Sequence, residues 1–111
     1  MPPPPIYLDA NSTTPVLPEA WDAMRPVMAD AFGNPASAHG YGRRARRYLE
    51  EARELVAKVL GARPEEVVFT SGATEANNLA AFGLAGSWPT PAHVVGSRIE
   101  HPCVVEPLVQ L

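Results

Sequence analysis

The sequence predicts an α/β fold, a helical N-terminal segment followed by the first βαβ unit of a parallel sheet. Three observations carry this prediction. Apolar residues recur at helical spacing through two stretches of the first 60 residues. Two short apolar runs, residues 67–70 and 92–97, lack polar alternation, as strands do when helices cover both faces. A helix-forming stretch over residues 73–84 separates them, which sets the order strand, helix, strand.

The elements follow in chain order. "MPPPP" reads as a short polyproline-like lead-in, residues 1–5. "IYLDA" is a short extended segment ending in a turn, and Pro15 favours extended geometry at Thr14 in the hydroxyl-rich "NSTTP". A helix starts near Pro18 and Glu19, with proline and an acid in its first turn. Ala20, Met24, Val27, Met28 and Ala31 mark its apolar face, and Pro26 is expected to kink or divide it. "FGNPAS" is a strong break.

The longest helix is expected from Ser37 or His39 to Leu60. Tyr41, Ala45, Tyr48, Leu49, Ala52, Leu55, Val56, Val59 and Leu60 form one wide apolar face, and Gly61 stops it. "ARPEE" is a loop, the first strand follows, and the chain turns at Ser71 and Gly72 into the helix of the βαβ unit. After the loop "GSWPTP" comes the second strand, "AHVVGS", from whose end "RIEHP" emerges. Pro102 opens a last helix. The chain therefore divides into the lead-in 1–5, an extended and helical segment 6–63, and the start of an α/β domain over 64–111. A parallel sheet needs more than two strands and covering layers, and "VVEPLVQL" ends on an uncapped apolar run. The expectation is a domain that continues in a larger protein.

Composition narrows the function classes. A chain of 111 residues suffices for one small domain, and 46% hydrophobic with 19% charged residues excludes wholesale disorder. A net charge of −3 gives no general attraction to nucleic acid or anionic membranes. No run approaches the ~18–20 apolar residues of a membrane span, and the N-terminus has no secretory pattern. Cys103 is the one cysteine, so no internal disulfide forms, and the expected compartment is the cytoplasm.

In open α/β sheets ligands bind beyond the carboxyl ends of the strands. "TSGATE" and "RIEHP" take those positions. Gly72 allows a sharp turn and close approach. Ala73 and Thr74 then lie in a first helical turn, whose free N–H groups and positive dipole end can hold a phosphate. The competing reading is a simple cap by Ser71 or Thr74, and pattern alone leans towards it. His101 can stack on an aromatic ligand or move protons near neutral pH, or it is an ordinary loop histidine. Glu100 is either its partner or a solvated acid.

The remaining eye-catching residues read as structural. Arg43, Arg44, Arg46 and Arg47 lie on the long helix, where Arg46–Glu50 and Arg47–Glu51 have pairing distance, so a solvated face is favoured over a nucleic-acid surface. Cys103 reads as a structural thiol rather than a nucleophile. Lys58, the single lysine, suits the C-terminal end of its helix. His39, His93 and His101 lie on separate segments and give no zinc pattern.

Four motifs occur in order: "YLDANSTTP", "FGNPASAHGYGRRA", "VVFTSGATEANNLA" and "IEHP". Together they resemble the N-terminal portion of the cysteine desulfurase and selenocysteine lyase family, class V aminotransferase-fold enzymes that use pyridoxal phosphate (PLP). Ser12 departs from the family, which often has alanine there. The resemblance implies the aminotransferase type I fold. Its implied roles for Ala73 and Thr74 are binding the PLP phosphate. It implies that His101 stacks on the pyridine ring and assists proton transfer as a catalytic residue. Asn11–Thr14 and Asn34–His39 match segments around the active-site mouth.

The resemblance also implies an amino-acid substrate (cysteine or selenocysteine), a homodimer, and a sulfur-acceptor protein as partner. It places the Schiff-base lysine, the acid facing the ring nitrogen and the persulfide-forming cysteine in a part of the family beyond Leu111. Lys58 and Cys103 do not stand in those motifs, so the chain alone is expected to be inactive. Two other expectations stay open: a non-catalytic binding or assembly module from a truncated or split gene, and a fragment of another class V enzyme or small phosphate-binding domain.

Overall fold

Helix signals in the sequence are local, and the chain follows them closely. The computed structural model describes residues 3–89 and 93–111. Its regular elements are α1 (Pro18–Ala29), α2 (Gly40–Leu60), a 3-10 turn (Pro64–Glu66), α3 (Ala73–Ser87) and α4 (Pro102–Gln110). Met1 and Pro2 of the lead-in, Thr90 and Pro91 of the "GSWPTP" loop, and Ala92 at the start of the second expected strand lie outside the described residues. The chain forms two units, Met1–Val67 and Val68–Leu111.

In the first unit, α1 begins with Pro18 at its first position and Glu19 in its first turn. Pro26 neither divides nor ends it at once; the helix runs on to Ala29. At its end the Pro26 carbonyl accepts from both Asp30 and Ala31, at 3.0 and 3.1 Å, the second bond being the wider i→i−5 kind that closes the last turn. Asp22 and Arg25 pair at 2.5 Å on the exposed face, a contact of little energetic weight.

The break before α2 is held by side chains. Asn34 Oδ1 accepts from the Ala36 amide at 2.8 Å, and the Asn34 carbonyl accepts from Ser37 at 3.0 Å. Gly33 has φ +149°, and a Cβ there would lie 2.8 Å from the Tyr41 carbonyl. Phe32 stacks on Tyr41 with ring centres 5.2 Å apart. His39 caps α2, its Nδ1 accepting from the Gly42 amide at 3.3 Å. At the far end Gly61 adopts the left-handed conformation (φ 67°), and Ala62 N–H reaches back to Ala57 at 2.9 Å, closing the helix as expected.

Two arginine assignments divide. Arg47 pairs with Glu51 at 3.4 Å. Arg46 instead donates to the Pro35 carbonyl at 2.8 Å, and Glu50 takes Arg53 at 3.0 Å. Arg43 donates to the Ala38 carbonyl. Loop carbonyls thus take these two arginines, Arg46 in place of the carboxylate one turn away, and an exposed ion pair has little energy with which to compete.

The second unit is α3 packed on α4. A groove of about 260 Å³ runs between them, lined by residues that include Ala80, Leu84, Val104 and Leu108. Pro102 opens α4, and Pro107 is buried within it.

The expected βαβ unit is corrected in part: its helix is present, but no strand occurs among the described residues. A strand exists only where a neighbour takes its backbone groups. Val67 illustrates what happens otherwise. Its N–H donates to Pro64 at 3.1 Å, and its carbonyl accepts from the Arg53 guanidinium. Apolar composition along 67–70 and 93–97 encodes burial, but pairing depends on distant chain.

Candidate functional site

The start of α3 is open. Gly72 precedes it with φ 166° and ψ −179°, and no side chain caps the helix. The first bond closing it runs from the Ala76 amide to the Gly72 carbonyl at 3.1 Å. The amides of Ala73 and Thr74 have no partner among the described residues, and neither does the Thr74 hydroxyl. The cap reading is therefore not what forms. Ser71 Oγ is turned the other way: it and the Ser71 amide both donate to Glu75 Oε2, at 2.6 and 2.7 Å. These two bonds, the hydroxyl's first, hold the Glu75 carboxyl below its ordinary pKa, against a smaller opposing effect of burial.

Gly72 contributes differently from expectation. Its backbone is extended, which any residue adopts, so no unusual turn angle requires glycine. Access is open without depending on glycine, since a Cβ there would meet nothing within 4 Å. Free amides, a free hydroxyl and unobstructed access are the donor set a phosphate needs at a helix start.

His101 sits at the start of α4 and caps it. Pro102 at the first helical position holds His101 extended, with φ −62° and ψ 146°. Its Nδ1 accepts from the Cys103 amide at 3.2 Å and lies 3.0 Å from Cys103 Sγ. Asn77 Nδ2 on α3 donates to the same sulfur at 3.2 Å. This bond joins the starts of the two helices. The ring of His101 is exposed. No bond links His101 to Glu100, the partner considered from sequence, or to Thr74.

Asn77 was missed by sequence reasoning. Its link to Cys103 spans 26 residues, and the available signal was only its place one turn into α3, on the same side as Ala73.

Of the other residues named from sequence, His93 lies in the second unit and the rest in the first. Near Asn11–Thr14, the Tyr7 hydroxyl donates to the carbonyls of Asp9 and Thr13 at 2.8 and 2.9 Å, and the Ser12 amide closes a turn onto Asp9 at 3.0 Å. Asn34–His39 form the turn and cap described above. Lys58 stands in the last turn of α2, favourable for the helix dipole. Among the described residues no three metal-ligating side chains cluster, and no helix is long and apolar enough to cross a membrane.

The family model for aminotransferase class-V matches residues 6–111. The chain is 47% identical over 103 residues to a cysteine desulfurase of Dictyoglomus turgidum, covering 92% of this chain and 26% of the relative. It is 47% identical over 104 residues to a mitochondrial cysteine desulfurase of Drosophila melanogaster, covering 92% and 22%. With a cysteine desulfurase of a Frankia species it shares 50% identity over 101 residues, covering 90% and 24%. The chain thus spans about a quarter of the length of the curated relatives it matches.

Proposed function

Because this chain belongs to the class V aminotransferase family, we propose that the start of α3 and His101 form part of a PLP site in a cysteine desulfurase. The open helix start carries the reading. Ala73 and Thr74 would hold the phosphate through two amides and the Thr74 hydroxyl, with the dipole of a 15-residue helix behind them. His101 would lie against the ring and hold or pass a proton at Nε2, since Nδ1 is already committed to Cys103. When bound, PLP supplies the electron sink for cleaving bonds at an amino acid's α and β carbons. Glu75 keeps its carboxylate on Ser71 and so leaves the amides of Ala73 and Thr74 to the anion.

The whole protein would take cysteine, or selenocysteine, release sulfur or selenium and leave alanine. A homodimer, a sulfur-acceptor protein and a cytoplasmic location complete the same reading. The 111-residue chain is expected to release no sulfide or alanine from cysteine with PLP, because Lys58, its one lysine, sits at the end of α2 and not in the family's Schiff-base motif. Measured turnover would overturn that.

The cofactor assignment is tested by absorbance and fluorescence titration with PLP. Thr74→Ala removes one hydrogen bond to a charged group, roughly 1.5–3 kcal/mol, so affinity should fall about tenfold or more. His101→Ala should also weaken binding. Unchanged affinity in both variants sinks the assignment.

A further inference from the structure

We propose that Asn77 and Cys103 are positioning residues for His101, holding its ring by Nδ1 so that Nε2 is the nitrogen offered to a ligand. This inference rests on the assignment of His101 to the cofactor site and says how the ring is set there.

A backbone N–H can only donate. The Cys103 amide lies 3.2 Å from His101 Nδ1, so Nδ1 is the unprotonated nitrogen, and the neutral ring carries its proton on Nε2. Cys103 Sγ lies 3.0 Å from the same Nδ1. The single lone pair of Nδ1 also faces the sulfur, so the thiol turns its S–H to share that lone pair with the amide in a three-centre bond. The sulfur lone pairs are then left to accept from Asn77 Nδ2 at 3.2 Å. The Cys103 N–H and S–H thereby share Nδ1, Asn77 donates to the sulfur, and the Nε2–H is left over for a ligand. The opposite Asn77 amide orientation would set two acceptors on a single S–H and leave one unmatched.

The series crosses from one helix to the other. Asn77 belongs to α3, Cys103 to α4, and both are only partly exposed, whereas the ring they hold is exposed. The ring's direction is thus tied to the packing of two helices as well as to its own loop. His39 provides an internal reference. Its Nδ1 also caps a helix, accepting from Gly42 at 3.3 Å, but no side chain among the described residues is bonded to it.

The test uses the ¹⁵N-labelled 111-residue chain at about pH 7.5, where an ordinary imidazole is mostly neutral and an ordinary thiol keeps its proton. Long-range imidazole spectra should show His39 and His101, of the three histidines, protonated on Nε2. The Nδ1 signal of His101, accepting two bonds, should lie upfield of that of His39. Cys103→Ala should move the His101 signal to the His39 position, Cys103→Ser should keep it upfield, and Asn77→Ala should move it part of the way. The His39 signal should stay still throughout. In parallel, PLP affinity should fall at least threefold in Cys103→Ala and recover in Cys103→Ser.

A His101 Nδ1 signal indifferent to Cys103→Ala overturns the proposal. If that variant loses its helical circular dichroism, Asn77→Ala gives the same readout, and an unmoved signal there is equally fatal. If Thr74→Ala and His101→Ala leave PLP binding unchanged, the cofactor reading fails while the nitrogen signals still report on the series, so the two failures are distinguishable.

Discussion

Single residues in the first unit show how tightly the turn before α2 is specified. Gly42 is buried, and a Cβ there would lie 2.2 Å from the Ser37 carbonyl, which is backbone and cannot swing aside. Gly42→Ala should therefore destabilise this unit by about 1–3 kcal/mol, the usual range for forced overpacking. Gly61→Ala meets no neighbour but must adopt a left-handed conformation, at ~1 kcal/mol. Thermal unfolding followed by circular dichroism should rank Gly42→Ala below Gly61→Ala, and the reverse order would refute the packing argument. Gly61 as a helix stop was readable, because its cause is local. The need at Gly42 was not, since Ser37 presses on it only once the loop has closed.

At the scale of elements, helices were readable and strands were not. Proline at the first position predicted the starts of α1 and α4, and apolar periodicity predicted α2 to within a few residues. Residues 67–70 carry the right composition for a strand, yet pairing is a non-local property that no window of sequence contains. The same division holds for the site. Ala73 and Thr74 could be placed at a helix start from Gly72 alone, but that the start would lack a cap depends on which way Ser71 turns.

The Ser71–Glu75 pair makes the start of α3 sensitive to acid. Glu75 has a lowered pKa in the folded chain, so its contribution is fully present above the ordinary glutamate value. It is lost as pH falls through the lowered value. The Ser71 amide resonance should move with a midpoint below that of an unperturbed glutamate, and Glu75→Gln should abolish the movement. A midpoint at or above the ordinary value would contradict the two hydrogen bonds. Because the carboxylate is exposed, added salt should weaken the effect.

At the scale of the whole molecule, little apolar surface is hidden. Among the described residues, Ala31 and Ala57 are the buried hydrophobic side chains, at 2% and 1% exposure, and no large side chain is fully buried. Within the first unit a groove of about 610 Å³ is lined by α1 and α2 residues, Met24, Val27, Met28, Tyr48 and Leu55 among them. Exposed apolar area of this kind binds hydrophobic dyes. The chain should raise the fluorescence of anilinonaphthalene sulfonate without denaturant, and a silent dye would show that the grooves are closed. The wide apolar face of α2 was evident from periodicity; that so much of it would stay uncovered was not, because periodicity reports which side seeks cover and not what supplies it.

The bond between Asn77 and Cys103 has a kinetic consequence. By joining the starts of α3 and α4, it brings the positive poles of two helices to one place, so their potentials add where an anion would arrive. Helix-end potentials act within about one turn, and the chain's net charge is −3, so this field would hold a phosphate-bearing molecule after contact rather than draw it in. Asn77→Ala, which unties the two helix starts, should therefore hasten the escape of such a molecule more than it slows its capture, as stopped-flow binding would read.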